Sequence, residues 1–194
     1  MTTLIKKYND ARVYLINDAS MVQKMALSIL FAIILAIASQ IKIFLSFTPV
    51  PINLGTFAVC MAGMTLGGFW GFISVAIYML AAAVGLPVIA GSSFLGATTG
   101  YIVGYSICAF ALGKWTEKCD IKKYSFIKTS AVLFIFQIAI IHICGMIGLY
   151  LWSVSTGSPY TLTEVIMKGT VPFLLTDSIK AMVLSLSMGF ILKK

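Results

Sequence analysis

Asp177 and Lys180 are the residues of this chain whose types and spacing point most clearly to chemistry. They lie three positions apart in an otherwise apolar run from Pro172 to Leu192, which is long enough to cross a lipid bilayer. Because residues three apart share one face of a helix, this acid and this amine can form an ion pair. Ionisable side chains are costly inside a membrane and are commonly tied to a ligand, an ion or a proton path. Two interpretations therefore stay open: the pair only holds helices together, or it forms the polar part of a binding site.

The composition indicates an integral membrane protein. Hydrophobic residues make up 60% of the 194 residues and charged residues only 10%, and the mean hydropathy is +1.01. Soluble domains carry about 25% charged residues. The formal net charge of +8 does not indicate a nucleic-acid partner, because the basic residues gather at the ends of apolar runs without a solvated domain around them. We therefore expect a multi-pass protein in a lipid bilayer.

The apolar runs predict an all-α fold of six transmembrane helices. We expect one transmembrane domain over residues 1–194, in which a polar N-terminal segment, 1–20, precedes a six-helix bundle, 21–194. Two runs are shorter than the roughly 20 residues that a crossing helix needs, so these two must tilt little, borrow from their flanks, or end below the surface beside a cavity. The six runs are Val22 to Ile41, Asn53 to Leu66, Phe69 to Val84, Ala97 to Trp115, Thr129 to Trp152 and Pro172 to Leu192.

The distribution of basic residues predicts the orientation of this bundle. Lysine and arginine cluster before the first run, between the fourth and fifth runs, and at the C-terminus. With six crossings these regions share one side of the membrane, and the positive-inside rule makes that side cytoplasmic. Both termini are therefore expected in the cytoplasm, and the connections 42–52, 85–96 and 153–171 are expected outside, where they are candidate binding loops.

The outer connections differ in what they offer a ligand. The first combines Phe44 and Phe47 with two prolines, which fix the backbone and exclude a regular helix. This pattern fits an apolar lid and an ordinary interfacial turn equally well. The second has glycines at both ends and exposed hydroxyl groups, including Ser92, so its backbone can approach a ligand closely. In the third, Thr161 and Glu164 have the spacing of a helix capping box and predict a short helix before Gly169.

Small residues recur four apart on the first run, at Ser28, Ala32 and Ala36. Such a stripe lets helices approach closely in lipid, where van der Waals contact drives association. It can face the inside of the bundle, or it can face outward and contact a partner membrane protein. Tyr101, near the outer end of the fourth run, is similarly open: it can line a cavity or belong to an interfacial belt of aromatic residues.

The sequence gives little support for catalysis. His142 is the only histidine, and we interpret it as a hydrogen-bonded residue inside the bundle rather than a general base. The chain has no H-E-x-x-H, G-x-S-x-G or P-loop motif, and its four cysteines show no C-x-x-C pairing. We therefore expect no metal, no cofactor and no enzyme activity. Any transport must draw its energy from a partner or a gradient.

Several motifs together resemble the BioY family, the biotin-specific substrate-binding (S) components of energy-coupling factor (ECF) transporters. The resemblance spans essentially all six apolar runs in order. It is carried by the segments 47–57 (FTPVPINLGTF), 85–91 (GLPVIAG) and 96–104 (GATTGYIVG), and by the terminal pair Asp177 and Lys180.

The resemblance implies a six-helix S-component fold in a bacterial cell membrane that captures biotin from outside. It also implies a membrane scaffold (T component) and two cytoplasmic ATPases as partners. In that family a small-residue motif on the first helix meets the scaffold, which assigns Ala32 and Ala36, and with them the Ser28 stripe, to an outward partner surface. The vitamin is expected beneath the outer loops, at residues drawn from the matched motifs and loops: Asn53, Tyr101, Thr98, Ser92, Phe44, Phe47, Asp177 and Lys180.

Biotin suggests a role for each polar candidate. Asp177 can accept a hydrogen bond from a ureido N–H, Asn53 can donate to the ureido carbonyl, and Lys180 is expected mainly to balance Asp177. Phe44 and Phe47 are expected to cover the bicyclic ring. Two alternatives remain at this point: an S component for another vitamin, such as thiamine or riboflavin, and an intramembrane enzyme that uses His142.

Overall fold

The computed structural model describes residues 14–91, 94–118 and 125–192, and it is built mainly from helices. In chain order the elements are α1 (Met21–Gln40), β1 (Lys42–Ile43), β2 (Ile52–Asn53), α2 (Gly55–Leu66), α3 (Gly68–Ala83), α4 (Thr99–Glu117), α5 (Phe126–Ser155), α6 (Leu162–Gly169), a 3₁₀ turn (Val171–Phe173) and α7 (Leu174–Leu192). Each of the six apolar runs is helical along most of its length.

Length and hydropathy separate these helices into two groups. Among the described residues, three helical stretches are long and apolar enough to cross a membrane: Met21–Gln40, Phe126–Ser155 and Leu162–Ser187. The α2 and α3 helices are apolar but have only 12 and 16 residues. The chain is therefore a membrane protein with a helical fold.

Local hydrogen bonds set where two of the helices begin. At α1 the Ser20 hydroxyl accepts from the Gln23 N–H at 3.3 Å, while the Gln23 side chain accepts from the Ser20 N–H at 2.9 Å. The same reciprocal arrangement joins Thr161 and Glu164 at the start of α6. The capping box predicted from the Thr161–Glu164 spacing is confirmed, and so is the short helix that follows it.

The α4 helix occupies the middle of the bundle, where it packs against α2, α3 and α5. Glycine permits the closest of these contacts. A Cβ atom on Gly100 would overlap the carbonyl oxygen of Cys144 and would lie only 2.8 Å from the Cα atom of Gly148. Close backbone approach of this kind gives helices in lipid the contact area that stabilises their association.

On the small-residue stripe of α1, Ser28 and Ala32 are buried in the bundle, and the expected contact of this stripe with a partner membrane protein stays a prediction. Ser28 is 0% exposed, and its hydroxyl donates to the Trp70 carbonyl of α3 at 3.1 Å. Ala32 is 6% exposed, and Ala36 is half-buried. Close approach of α1 to α3 explains the small side chains. The exposed face of α1 carries branched aliphatic residues instead: Ile29, Ile33 and Ile37.

The first connection forms a short antiparallel strand pair, in which Lys42 opposes Asn53. The fold is thus not purely helical, although the prediction that this connection contains no regular helix is confirmed. Thr48, between the two strands, donates from its hydroxyl to the Lys168 carbonyl oxygen at 2.7 Å. This bond ties the connection to the end of α6.

The α5 helix is interrupted by a π-helical segment at Gln137–His142. Wider turns of this type change the direction of side chains and occur frequently at functional sites. The segment directs both of its end residues inward, and Gln137 and His142 are both buried.

Candidate functional site

One end of the bundle contains a cavity of about 500 Å³, a volume that includes the open space at its mouth. The β1–β2 connection lies at this end, together with the starts of α2, α4 and α7. The lining residues are Ser39, Val50, Pro51, Asn53, Thr56, Tyr78, Ala90, Thr98, Tyr101, Ile102, Tyr105, Ile141, His142, Phe173, Asp177 and Lys180.

A compact polar cluster forms one part of the cavity wall. Asp177 Oδ1 accepts from Lys180 Nζ at 2.7 Å and from the Thr56 hydroxyl at 3.3 Å, while Asp177 Oδ2 lies 2.9 Å from His142 Nε2. Lys180 Nζ also donates to the Thr56 hydroxyl oxygen at 2.9 Å. The cluster joins α2, α5 and α7 through hydrogen bonds that involve charged groups, which are the strongest kind in proteins.

The cluster is buried, and burial determines how much its charged groups cost the folded state. All four side chains are less than a tenth exposed. Removing an acid and an amine from water is costly, and their mutual attraction offsets the cost only where geometry is good and further hydrogen bonds are made. Thr56 and His142 supply those further bonds to Asp177. A residual binding capacity remains, because an ammonium group carries three N–H donors and Lys180 uses two of them within the cluster.

Other polar groups reach the cavity from the connections and from α4. Asn53 uses its Oδ1 atom to accept from the Gly55 N–H at 2.7 Å, which holds the side chain at the start of α2 and leaves its amide group as a donor. Tyr101 donates to the Gly169 carbonyl at 2.6 Å. The buried Thr98 hydroxyl has no hydrogen-bond partner among the described residues. A buried polar atom without a partner is costly, so Thr98 is suited to bind a ligand.

Comparison with known proteins identifies the family. A model of the BioY family matches residues 8–193. The chain belongs to the BioY family. It is 33% identical over 173 residues to the biotin transporter BioY of Rhizobium etli, which covers 84% of this chain and 89% of that protein. It is 32% identical over 162 residues to the biotin transporter BioY of Thermotoga maritima, which covers 81% of this chain and 88% of that protein. The resemblance stated from the motifs is therefore confirmed.

A solved structure of the same family supports the fold. The chain is similar to a crystal structure of the S-component for biotin from an ECF-type ABC transporter, with a TM-score of 0.73 and 27% identity over 86% of this chain and 88% of that one. These relatives are named as transporters or transporter components. The prediction that this BioY family member is not an enzyme is confirmed on that ground.

Most of the sequence-predicted site residues lie together in this member of the BioY family. Asp177, Lys180, Asn53, Tyr101 and Thr98 all line the cavity. They come from α7, from the end of the strand pair and from the start of α4, so the fold brings distant segments to one place. Ser92 lies outside the described residues.

Phe44 and Phe47 are not among the residues that line the cavity, and their expected role as a cover for the bicyclic ring stays a prediction. They are 67% and 58% exposed, and the Phe44 ring lies beneath the Lys42 ammonium, 5.6 Å from ring centre to nitrogen. Apolar contact is offered instead by two residues that follow them and by residues from α4, α5 and the 3₁₀ turn: Val50, Pro51, Ile102, Ile141 and Phe173.

Sequence reasoning missed His142 and Thr56 as members of the site. His142 is a buried, hydrogen-bonded bundle residue as interpreted, but its partner is Asp177. Thr56 lies in the first turn of α2, three residues after Asn53 at the end of β2, and this closeness in the sequence to a predicted site residue was the available signal. Tyr105 lies four residues after Tyr101 on α4, so it faces the same side of that helix and also lines the cavity.

Proposed function

We propose that this protein binds biotin in the cavity beneath the β1–β2 connection and that it is the substrate-specific component of an ECF-type transporter. The observation that carries the proposal is the buried Asp177–Lys180 pair in the wall of the cavity of a chain of the BioY family. Under this proposal the Asp177–Lys180 pair has a role in ligand binding in addition to holding helices together.

The groups that line the cavity match the chemistry of biotin. Its ureido ring offers two N–H donors and one carbonyl acceptor, its sulfur-containing ring is apolar, and its valerate chain ends in a carboxylate. Asp177 can accept from a ureido N–H, while the Asn53 amide and the third N–H of Lys180 can donate to ligand oxygens. We assign Thr98 and Tyr101 to the same site. Each bond to a charged group typically contributes about 1.5 to 3 kcal/mol.

The apolar residues supply the remaining affinity. Burial of about 150 Å² of apolar ligand surface at about 25 cal/mol per Å² corresponds to about 4 kcal/mol. Two polar contacts of that size added to this burial give about 7 to 10 kcal/mol, so the roughly 12 kcal/mol of nanomolar binding requires further contacts from the other polar groups of the cavity. Such affinity requires a preformed site, and the hydrogen bonds within the Asp177 cluster support preorganisation.

We also propose the membrane arrangement that the sequence predicts. The six apolar helices of the bundle, 21–194, cross a bacterial cytoplasmic membrane within a single domain, 1–194, with both termini in the cytoplasm and the cavity facing outward. Residues 1–20 form a cytoplasmic segment. A T component and two ATPases supply the energy, and the T component contacts the face of α1 that includes Ala36 and the exposed Ile33 and Ile37.

Equilibrium binding of radiolabelled biotin to the purified full chain in lipid nanodiscs tests this function. We expect one saturable site that binds biotin with nanomolar affinity. An excess of thiamine or riboflavin should not displace biotin from it. Displacement by thiamine or riboflavin would assign the chain to another vitamin, and absence of saturable binding would reject vitamin capture. Biotin uptake by cells that co-express the T component and ATPases, compared with cells whose ATPases lack the P-loop lysine, tests the proposed energy source.

A further inference from the structure

His142 is held between two oxygen atoms. Its Nε2 atom lies 2.9 Å from Asp177 Oδ2, and its Nδ1 atom lies 3.2 Å from the carbonyl oxygen of Gly169. The side chain is 2% exposed. The rings of Tyr101 and Phe173 lie 6.0 and 5.7 Å from the imidazole, centre to centre, so the ring orientation is fixed from several directions.

Proton counting shows what this arrangement requires. A backbone carbonyl only accepts hydrogen bonds, and an ionised carboxylate only accepts them, whereas a neutral imidazole carries one N–H. Two ring nitrogens that both face oxygen atoms therefore need two protons between the imidazole and Asp177. Either His142 is doubly protonated beside an ionised Asp177, or a neutral His142 accepts from a protonated Asp177. In both cases the pair has zero net charge and the His142 Nδ1 atom carries a proton.

The surrounding groups then fix the net charge of the site. Lys180 contributes one positive charge through its bond to Asp177 Oδ1. The α6 helix presents the neutral Gly169 carbonyl, and the Lys168 ammonium of that helix lies over the Tyr160 ring, 3.9 Å from its centre. The remaining titratable side chains that line the cavity are phenols, which are neutral near pH 7: Tyr78, Tyr101 and Tyr105.

We propose that the His142–Asp177 pair holds this shared proton, that the cavity therefore carries one net positive charge, and that the charge selects biotin in its carboxylate form. His142 is then a positioning and specificity residue that need not touch the ligand, because opposite charges several ångströms apart attract strongly in a low-dielectric site. The inference rests on the proposed function and adds to it. Without the shared proton, Asp177 and Lys180 would cancel and an anionic ligand would leave an unbalanced buried charge.

His142 also links Asp177 to the β1–β2 connection. The Gly169 carbonyl accepts from both His142 and Tyr101, and the neighbouring Lys168 carbonyl accepts from Thr48. Hydrogen bonds on the adjacent Gly169 and Lys168 carbonyls thus link Asp177, through His142 and the backbone between these two residues, to the β1–β2 connection. The orientation of His142 is supported at both ends.

Binding of biotin and of the uncharged biotin methyl ester to wild-type protein and to His142→Gln tests the proposal. Glutamine can still donate to Asp177 but cannot hold the shared proton. The wild type should prefer biotin over the ester by about tenfold or more, and His142→Gln should lose most of that preference through weaker biotin binding. Equal weakening of both ligands, or an unchanged preference, would reject the charge-selective role and leave only a structural one. If the wild type binds neither compound, the proposed function fails instead.

A second variant separates the role of His142 from that of a neighbouring cation. Lys42→Gln removes a cation whose ammonium donates to the cavity residue Ala90 at 3.2 Å. If this variant loses the carboxylate preference while His142→Gln keeps it, Lys42 selects the carboxylate and the proposal is wrong.

The single histidine of the chain permits a direct observation that needs no variant. Protein labelled with ¹⁵N-histidine and carrying a histidine-free tag gives side-chain NMR signals from His142 alone. We expect a protonated Nδ1 atom in detergent micelles near neutral pH. A tautomer with a bare Nδ1 and a protonated Nε2 would overturn the proposal, because it requires no shared proton.

Discussion

Replacement of Asp177 by asparagine tests the centre of the site with almost no change in side-chain shape. The carboxylate accepts from Lys180 Nζ at 2.7 Å and from the Thr56 hydroxyl at 3.3 Å, and it pairs with His142 Nε2 at 2.9 Å. Asparagine offers one carbonyl oxygen and one NH₂ donor group. Either Lys180 or His142 must therefore face a donor instead of an acceptor.

The structure suggests two separate magnitudes. Removing one partner of a buried ion pair typically costs about 3 to 5 kcal/mol, because the remaining charge is left uncompensated. We therefore expect the free energy of unfolding to fall by about this amount, since Asp177 and Lys180 are both buried. Loss of one charged acceptor for a ureido N–H should cost a further 1.5 to 3 kcal/mol or so in binding, which is about 10- to 150-fold in Kd for biotin.

Thermal unfolding in one detergent and equilibrium biotin binding in nanodiscs measure the two effects separately. Asp18→Asn, the same substitution at an exposed acid far along the chain from the cavity residues, is the matched control and should leave both quantities unchanged. The double variant Asp177→Asn/Lys180→Gln removes both charges, so it should recover part of the stability without recovering binding. An Asp177→Asn protein that melts like wild type and binds biotin within about threefold would refute the assignment of Asp177 to the site.

Further substitutions test the packing of α1 and the contributions of Thr98, Phe44 and Phe47 to the site. Ala32→Leu should lower the stability by about 1 to 3 kcal/mol through overpacking, while Ile33→Leu on the exposed face should not; equal melting temperatures would place Ala32 outside the bundle. Thr98→Val should weaken biotin binding about 2- to 10-fold without lowering the melting temperature of the free protein, because it removes a buried hydroxyl that has no partner in the described structure. Phe44→Ala and Phe47→Ala should each change the Kd for biotin by less than about threefold, and a larger loss would restore them to the site.

The polar residues of the site were predictable because polar residues are rare in apolar segments. Asp177 and Lys180 stand out on spacing alone, and both line the cavity. Asn53, Tyr101 and Thr98 were added through the family motifs, and they lie in the same cavity. In each case the penalty for placing a polar group in lipid leaves few positions that the fold can accept, so residue type carries information about place.

The orientation of apolar helix faces was not predictable in the same way. In water the hydrophobic pattern tells the buried face of a helix from the exposed face, but lipid tails are as apolar as the interior of a bundle. The α1 helix shows the consequence. Its small residues Ser28 and Ala32 are buried, and Ser28 bonds to α3, while the larger Ile33 and Ile37 are exposed. The spacing of four residues correctly identified a stripe of small residues on α1. It did not show whether that stripe contacts a helix of the same bundle or a partner protein.

His142 required tertiary information of a different kind. It lies 35 residues from Asp177 along the chain, and the two meet only because α5 and α7 place their side chains in one cavity. The π-helical segment that ends at His142 contributes to this placement, and no capping or spacing rule for α-helices predicts such a segment. A solitary histidine in an apolar helix is therefore read correctly as buried, while its partner stays hidden until the fold is known.

The partner matters because it changes the charge of the site rather than its shape. With Asp177 and Lys180 alone, the site is neutral and a carboxylate ligand has no balancing charge. The contact between His142 and the Gly169 carbonyl requires one more proton on the His142–Asp177 pair. The positive charge of Lys180 is then unbalanced, and the cavity is complementary to an anion. Ligand selection by this protein thus depends on one proton that neither a charge count of the sequence nor the shape of the pocket records. Measuring the carboxylate preference of His142→Gln decides between these two descriptions of the site.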